Sequence, residues 1–317
     1  MNQDACIIFD IDGVLIDTRK SYNESIKQTV QYMVKRINPT IDNVESLVTD
    51  DMIFNFRKSG MFNNDADTSY AFILSIVFGP SKISDLHIFL EKITGNATTN
   101  GIKSVVNFLL DCSKDKDKVI RTMRMLNYPG DIHSSIVARV FDEYFYGPSL
   151  FKKQHSADAL YYFGSPLIDN DVLLVRDSTI KRISDYFDRR VGIVSGRSRV
   201  AAEYSLKWLF DYFDTDASIY LEDEKREMGK PNPLALIKSI RSMGVCNAFY
   251  VGDSAEDLLM VLKAREESHL DIQLIGICPP NPRANQIRSL FTENGTSLIA
   301  QEVDELPNIL NKVKTQF

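Results

Sequence analysis

Near its N-terminus the chain reads Ala5-Cys6-Ile7-Ile8-Phe9-Asp10-Ile11-Asp12-Gly13, an apolar run that ends in two carboxylates and a glycine. The run predicts a buried strand, and Gly13 allows the chain to turn directly after it. One carboxylate at such a strand end can attack phosphorus, the other can move a proton, and both can help to hold Mg²⁺. Taken alone, the pattern also fits an ordinary strand that ends in a polar turn.

A second apolar run, Val191-Gly192-Ile193-Val194, leads into Ser195-Gly196-Arg197. The Ser195 hydroxyl and the neighbouring backbone N–H groups can bond phosphate oxygens. The same letters also fit a plain turn from a strand into a helix.

A lysine held between turn residues follows in Gly229-Lys230-Pro231-Asn232-Pro233. Pro231 biases Lys230 away from helical geometry, and Pro233 fits the first turn of the helix that follows. A lysine fixed in this way can neutralise charge between a nucleophile and a phosphate, although a single lysine is more often a solvated surface charge.

The last of these segments, Ala248-Phe249-Tyr250-Val251-Gly252, predicts a strand that ends in Asp253-Ser254-Ala255-Glu256-Asp257. If a helix begins near Ser254, Asp253 and Asp257 lie on the same side of it. Hard cations bind such carboxylate oxygens. Capping of the helix N-terminus is the alternative, and it explains one aspartate better than two.

Together and in this order, the four segments resemble the motifs of the haloacid-dehalogenase-like superfamily. The resemblance implies that Asp10 is the nucleophile, that Asp12 protonates the leaving group and then activates water, and that Lys230 balances the carboxylates. It further implies two overlapping sets of ligands. The phosphate-binding residues would be Gly13, Ser195, Gly196 and Lys230, and the Mg²⁺ ligands would be Asp10, Asp12 through its backbone carbonyl, Asp253 and Asp257.

A finer resemblance covers Ser59-Gly60-Met61-Phe62-Asn63-Asn64-Asp65, which is similar to a stretch of a prokaryotic subfamily with a helical cap and an architecture like that of phosphoglycolate phosphatases. In and beside this stretch, Arg57, Lys58, Asn63 and Asn64 are candidates to touch the leaving group. A polar loop between two helices is an equally good explanation of these side chains.

Strand and helix patterns alternate in the part of the chain that carries the motifs. Strands are predicted at 5–10, 190–195, 217–221, 247–252, 271–278 and 296–301, which favours an α/β fold with a parallel sheet covered on both faces and a site at the carboxyl ends of its strands. Helical periodicity without strand alternation fills the insert: a first helix ends at Asn38-Pro39, and further helices are expected at 67–78, capped by Asp67, 83–94, 101–113, 119–127 and 134–146. We therefore expect a Rossmann-like doubly wound core formed by residues 1–17 and 170–317, with an all-helical cap domain, 18–169, inserted after the first strand.

Composition limits the partners. A net charge of −6 and a pI near 5.4 argue against general nucleic-acid binding, so local positive groups must attract a phosphate. The four cysteines form no C-x-x-C pair, which favours a reducing cytoplasm, and the four histidines show no zinc-binding spacing. No apolar run approaches the roughly 18 residues that span a membrane, and the first residues are expected to form a core strand rather than a signal peptide.

The sequence thus predicts a Mg²⁺-dependent phosphatase that acts on a small phosphorylated metabolite through an aspartyl-phosphate. Two alternatives remain at this stage. A phosphomutase would share both aspartates of the first motif, and a non-catalytic protein that binds a phosphorylated ligand would keep the site without the chemistry. The sequence identifies neither the substrate nor the oligomeric state.

Overall fold

The computed structural model describes residues 4–58, 62, 64–95, 101–280 and 284–314, except for the side chains of Lys58, Ala284, Val313 and Lys314. The chain divides into two compact units. The sheet unit comprises Met1–Thr18 and Asp171–Phe317, and the helical unit comprises Arg19–Asn170. Both boundaries fall one residue beyond the predicted ones. The roles of catalytic core and cap stay predictions.

The described residues of the sheet unit form eight strands: β1 (Ala5–Phe9), β2 (Ile16–Asp17), β3 (Val172–Leu173), β4 (Val191–Ser195), β5 (Ile219–Tyr220), β6 (Asn247–Gly252), β7 (Asp271–Ile277) and β8 (Leu298–Ala300). Six of them form one parallel sheet in the order β5-β4-β1-β6-β7-β8. After β1 the chain adds β4 and β5 on one side of it and then β6, β7 and β8 on the other. Ligand sites of such sheets usually lie at the carboxyl ends of the strands where the order reverses, here β4, β1 and β6. All six predicted strands are present, and the α/β fold is confirmed.

The helical unit contains α1 (Arg19–Ile37), α2 (Val44–Leu47), α3 (Asp50–Lys58), α4 (Asp65–Phe78), α5 (Ile83–Gly95), α6 (Ile102–Cys112), α7 (Lys116–Leu126) and α8 (Ile136–His155). Among its described residues there is no strand, so the all-helical prediction is confirmed. In α1 the buried side chains Ile26, Val30, Met33 and Val34 follow the predicted helical spacing. The helix ends just before Asn38-Pro39, because proline cannot continue the hydrogen-bond ladder. No helix in the described part of the chain combines the length and apolarity needed to cross a membrane.

Local details of the chain differ from the predictions. Helix α8 follows the predicted helix up to Tyr146, where Gly147 interrupts it with non-helical backbone angles (φ 60°, ψ 174°). A second helical stretch, which was not predicted, continues from Pro148 to His155. The predicted cap Asp67 is wrong: α4 begins earlier, its N-cap is Asn64, and buried Asp67 accepts a hydrogen bond from the Tyr128 hydroxyl. Helix α3 and the antiparallel pair β2–β3 were not predicted. Strands of two residues are too short to show alternation.

In its described part the sheet unit also contains the α-helices α9 (Asp177–Tyr186), α10 (Arg199–Leu206), α11 (Leu234–Ser242), α12 (Ala255–Glu267), α13 (Ala284–Glu293) and α14 (Leu306–Lys314). Side chains of β1 alternate between two hydrophobic clusters, as successive residues of a strand must. Ile7 and Phe9 join a cluster with α9, α10 and α14, whereas Cys6 and Ile8 join a cluster with α11, α12 and α13. The sheet is therefore covered on both faces, which leaves the strand ends as the place for polar side chains.

The helical unit holds a fully buried carboxylate in α8. Glu143 accepts hydrogen bonds from the backbone N–H groups of Leu160, Tyr161 and Tyr162 and from Arg139 Nε, at 2.6–3.1 Å. Its side chain has no exposed surface. The carboxylate thereby fastens the segment after α8 to the helix, and all of its contacts are structural.

We expect Glu143→Gln to lower the free energy of unfolding by about 2–3 kcal/mol, because an amide turns two donor hydrogens toward groups that are themselves donors. Urea unfolding followed by circular dichroism measures the change. The control is Asp158→Asn, which removes an exposed ion pair with Lys152 near the same segment and should leave the midpoint unchanged. A Glu143→Gln protein that unfolds with the wild type would contradict this assignment.

Candidate functional site

Three neighbouring strands end at the predicted motifs. Asp10 follows β1, Ser195 is the last residue of β4, and Asp253 follows β6. Phe9 is in register with Ile193 on one side and Val251 on the other, and the Asp10 N–H donates to the Val251 carbonyl at 2.9 Å. Parallel register therefore brings these motifs together at one edge of the sheet.

Lys230 lies between two aspartates. Its Nζ is 2.7 Å from Asp10 Oδ2 and 2.8 Å from Asp257 Oδ1, and all three side chains are less than a tenth exposed. Burial alone would lower the pKa of Lys230, yet the two carboxylates hold it well above its ordinary value. Burial raises the pKa of Asp10 to about 6, while Lys230 opposes this rise. The lysine therefore keeps its charge and partly offsets the cost of the buried carboxylates.

Asp257 caps the N-terminus of helix α12 and also binds Lys230. Its Oδ2 accepts from the N–H of Asp253, and from both the N–H and the hydroxyl of Ser254, at 2.7–3.1 Å. Its Oδ1 accepts from Lys230 and from the Tyr250 hydroxyl, each at 2.8 Å. Although burial acts to raise its pKa, Lys230 and these hydrogen bonds lower it below the ordinary value. Both oxygens of this ionised carboxylate are thus already bonded, and the helix cap and the site share one residue.

Carboxylate oxygens of Asp10, Asp253 and Asp257 lie within 4.8 Å of one another. Burial, followed by the charges of Asp257 and Asp10, raises the pKa of Asp253 well above its ordinary value. Gly13 makes the close approach of the two loops possible, because its φ is 75° and a Cβ there would lie 2.0 Å from Asp253 Oδ2. An all-oxygen donor set with too little positive charge fits a hard divalent cation.

The second motif offers a hydroxyl without a partner. Ser195 Oγ is fully buried and makes no hydrogen bond within the described residues. Gly196, the next residue, is exposed, and a Cβ there would meet no described atom within 4 Å. A buried hydroxyl beside open space is suited to bonding a ligand oxygen. Gly13 was also predicted to bind phosphate, but its backbone N–H already donates a hydrogen bond to the Ile16 carbonyl at 2.8 Å.

Two charged residues of the site, Arg197 and Glu256, lie within the motif segments, but the sequence alone predicts no function for them. Arg197 is completely buried and binds Asp12 Oδ1 through Nε at 2.5 Å and Asp171 Oδ2 through Nη2 at 2.8 Å. Burial raises the pKa of Asp12, and Arg197 opposes the rise. Glu256 lies in the first turn of α12, where burial, followed by the charge of Asp257, raises its pKa to about 8. The signal for both was their position directly beside a motif residue.

The residues predicted to touch a leaving group already have partners inside the helical unit. Arg57 donates through Nε and Nη2 to Asp65 Oδ1, at 3.1 and 2.7 Å, and through Nη1 to Asn23 Oδ1. Asn64 accepts from the Ala66 N–H as the cap of α4. The Lys58 side chain and Asn63 lie outside the described residues. Contact of these residues with a leaving group stays a prediction.

Glu256 gives the stability of the metal-free protein a defined pH dependence. Between its ordinary pKa of 4.5 and its folded-state pKa of about 8, the folded chain keeps a proton that the unfolded chain has released. Stability therefore falls as the pH rises through this range. Glu256→Gln removes this contribution, so the variant should melt higher than the wild type in EDTA, by at least about 2 °C at pH 8 and less at pH 5. Asp10, with a pKa of about 6, affects both proteins alike.

The control for this measurement is Glu266→Gln on the exposed side of the same helix, which should follow the wild type at every pH. Parallel melting curves for wild type and Glu256→Gln from pH 5 to 8 would contradict the assignment.

We compared the sequence and the fold with those of known proteins. A family model described as haloacid dehalogenase-like hydrolase matches residues 5–265. A search of curated protein sequences finds no match. One solved structure, a structural-genomics target, is 15% identical with a TM-score of 0.68 over 98% of this chain and 100% of that chain. A phosphatase from Thermococcus thioreducens is 23% identical with a TM-score of 0.58 over 86% of this chain and 92% of that chain. Both structures share the fold, and the match to the family model shows that the chain belongs to the haloacid dehalogenase-like hydrolases.

Proposed function

We propose that the protein is a Mg²⁺-dependent phosphatase that hydrolyses a small phosphorylated metabolite through an aspartyl-phosphate on Asp10. The observation that supports this most is the pairing of buried Asp10 with Lys230 at 2.7 Å, with Asp12 two residues further along the same turn. At this strand end Asp10 would serve as the nucleophile, Lys230 as its counter-charge and Asp12 as the proton carrier.

The chemistry divides into two steps. In the first, an oxygen of Asp10 bonds to phosphorus, the bond from phosphorus to the leaving oxygen breaks, and Asp12 gives that oxygen a proton. In the second, Asp12 takes a proton from water, the water oxygen bonds to phosphorus, and the Asp10–phosphorus bond breaks. The products are the alcohol and inorganic phosphate, and both aspartates return to their starting states.

The remaining site residues would bind and orient the phosphoryl group. The unpartnered Ser195 hydroxyl and the backbone beside Gly196 are suited to its oxygens, and Lys230 offsets the charge of Asp10 while the group is bound. Gly13 contributes chiefly the room beside Asp253.

Asp10, Asp253 and the Asp12 backbone carbonyl would hold Mg²⁺, with Asp257 supporting them directly or, since both of its oxygens are bonded, through its neighbours. The cation would neutralise charge that develops on the phosphoryl oxygens.

The helical unit is proposed as a cap that selects the leaving group, while the sheet unit carries the chemistry. A cytoplasmic location is part of the proposal, because all four cysteines are free thiols. The test of the function as a whole is a screen of phosphorylated metabolites for release of inorganic phosphate. Conversion of a sugar phosphate to an isomer, without phosphate release, would instead favour a mutase.

Asp10→Asn should abolish turnover and leave the fold intact. The amide is nearly the same size but a far weaker nucleophile, so we expect a loss of at least about 1,000-fold in kcat, equivalent to about 4 kcal/mol of barrier. Phosphate release from p-nitrophenyl phosphate measures it, with a thermal melt as the check on folding. Retention of more than about a tenth of the wild-type rate would rule out Asp10 as the nucleophile.

Asp253→Ala should weaken metal binding without removing the nucleophile. Its rate should need a higher Mg²⁺ concentration, and excess Mg²⁺ should restore part of it. The control is Asp271→Ala, which removes an exposed carboxylate at the start of β7, the opposite end of the strand from the site. An unchanged Mg²⁺ requirement in Asp253→Ala would show that this residue is not a ligand.

A further inference from the structure

A buried arginine, Arg197, binds the side chain that is proposed to carry the proton. It follows Ser195-Gly196 at the end of β4, and its side chain has no exposed surface. Burying a guanidinium is unfavourable unless carboxylates and hydrogen bonds compensate it. Each of its three nitrogens has a named partner: Asp12 for Nε, Asp171 for Nη2, and the Ser205 hydroxyl for Nη1 at 2.9 Å.

The partners on the far side of the guanidinium also bind each other. The Ser205 hydroxyl donates to Asp171 Oδ2 at 2.7 Å, which closes a ring with Arg197. The Asp171 side chain is only 4% exposed. Two of the three nitrogens, Nη1 and Nη2, are therefore held by buried groups. These contacts fix the plane of the guanidinium and with it the direction in which Nε donates to Asp12.

Asp12 is the exposed end of this network. Its side chain is 32% exposed, against none for Arg197. Within the described residues, Arg197 Nε is the side-chain donor to the Asp12 carboxylate, and Oδ1 is the oxygen that accepts. The planar guanidinium thus holds one oxygen and leaves the other, Oδ2, turned away from the bond.

We propose that Arg197 is a positioning residue for the proton transfers of Asp12, held in place by Asp171 and Ser205. The proposal rests on the proposed phosphatase function. With Oδ1 bonded to Arg197, Oδ2 is the atom that gives its proton to the leaving oxygen as the phosphorus–oxygen bond breaks, and that takes a proton from water in the second step. A carboxylate free to rotate would misplace this atom, and a displacement of about 1 Å can cost about a hundredfold in rate.

The inference predicts a dependence on the leaving group. An alkoxide is a poor leaving group and needs the proton as it departs, whereas a 2,4-dinitrophenolate departs without it. A residue that positions Asp12 matters for the first kind of ester and much less for the second. A residue that only supports the fold would affect both esters equally.

The experiment compares kcat/KM for glycerol phosphate and for 2,4-dinitrophenyl phosphate in four variants of the full chain with Mg²⁺ present. Arg197→Met removes the bond to Asp12, and Arg197→Lys keeps the charge without the planar fork. Ser205→Ala loosens the support of Arg197 while its bond to Asp12 remains. Arg176→Met is the control, since it breaks an ion pair with Asp304 elsewhere in the sheet unit.

We expect Arg197→Met to lose about 100-fold on glycerol phosphate and less than about fivefold on the dinitrophenyl ester. Arg197→Lys should show an intermediate loss with the same preference, Ser205→Ala a loss of a few fold with that preference, and Arg176→Met none. If Arg197→Met does not fold in a thermal melt, Arg197→Lys and Ser205→Ala decide the question.

Equal losses on both esters, or no loss on either, would overturn the inference while an active wild type leaves the proposed function standing. A wild type that hydrolyses neither these esters nor any phosphorylated metabolite in the screen would overturn the function and this inference together.

Discussion

The site depends on the crowding of carboxylates at the end of a buried sheet. Asp10, Asp253 and Asp257 lie close enough for their charges to oppose one another, and burial removes the water that would otherwise stabilise them. Lys230, between Asp10 and Asp257, supplies the compensating positive charge. Since this single charge does not balance three aspartates, the arrangement favours the binding of a further cation.

Backbone geometry brings these groups together with little help from long loops. Parallel strands point their carboxyl ends to the same edge, and the motifs lie at β4, β1 and β6, where the strand order reverses around β1. Asp257 ties this edge to helix α12, because the oxygens that cap the helix also fix the loop of Asp253 and the ammonium of Lys230. The helix start and the charge cluster are therefore one unit, and loosening either would disturb the other.

The sequence contains enough to predict the sheet and the position of the four motifs, because three of them directly follow an apolar strand of clear length and the lysine of the remaining one stands between turn residues. It does not contain the partners that depend on tertiary contacts. In the sequence, Arg197 belongs to a segment that fits a turn from a strand into a helix, and only the fold brings Asp171 beside it. Gly147 does interrupt α8 as its type suggests, but the helical stretch that resumes at Pro148 was not predicted. Arg57 was a candidate to contact a ligand, yet it donates hydrogen bonds to Asp65 and Asn23. Asp65 is close to Arg57 in the sequence, whereas Asn23 comes beside it only in the folded chain.

Burial alone does not distinguish structural polar groups from functional ones, and two buried side chains of this protein show what does. Glu143 is as buried as Ser195, but donors surround both of its oxygens, so it has no remaining capacity for a ligand. Ser195 Oγ has no partner within the described residues although it lies at a strand end beside exposed Gly196. An unbonded buried hydroxyl costs stability, and a ligand oxygen would remove that cost on binding. The satisfied hydrogen bonds of Glu143 therefore assign it to the architecture, whereas the proposal that Ser195 binds a ligand rests on its unbonded hydroxyl together with its place at the strand end.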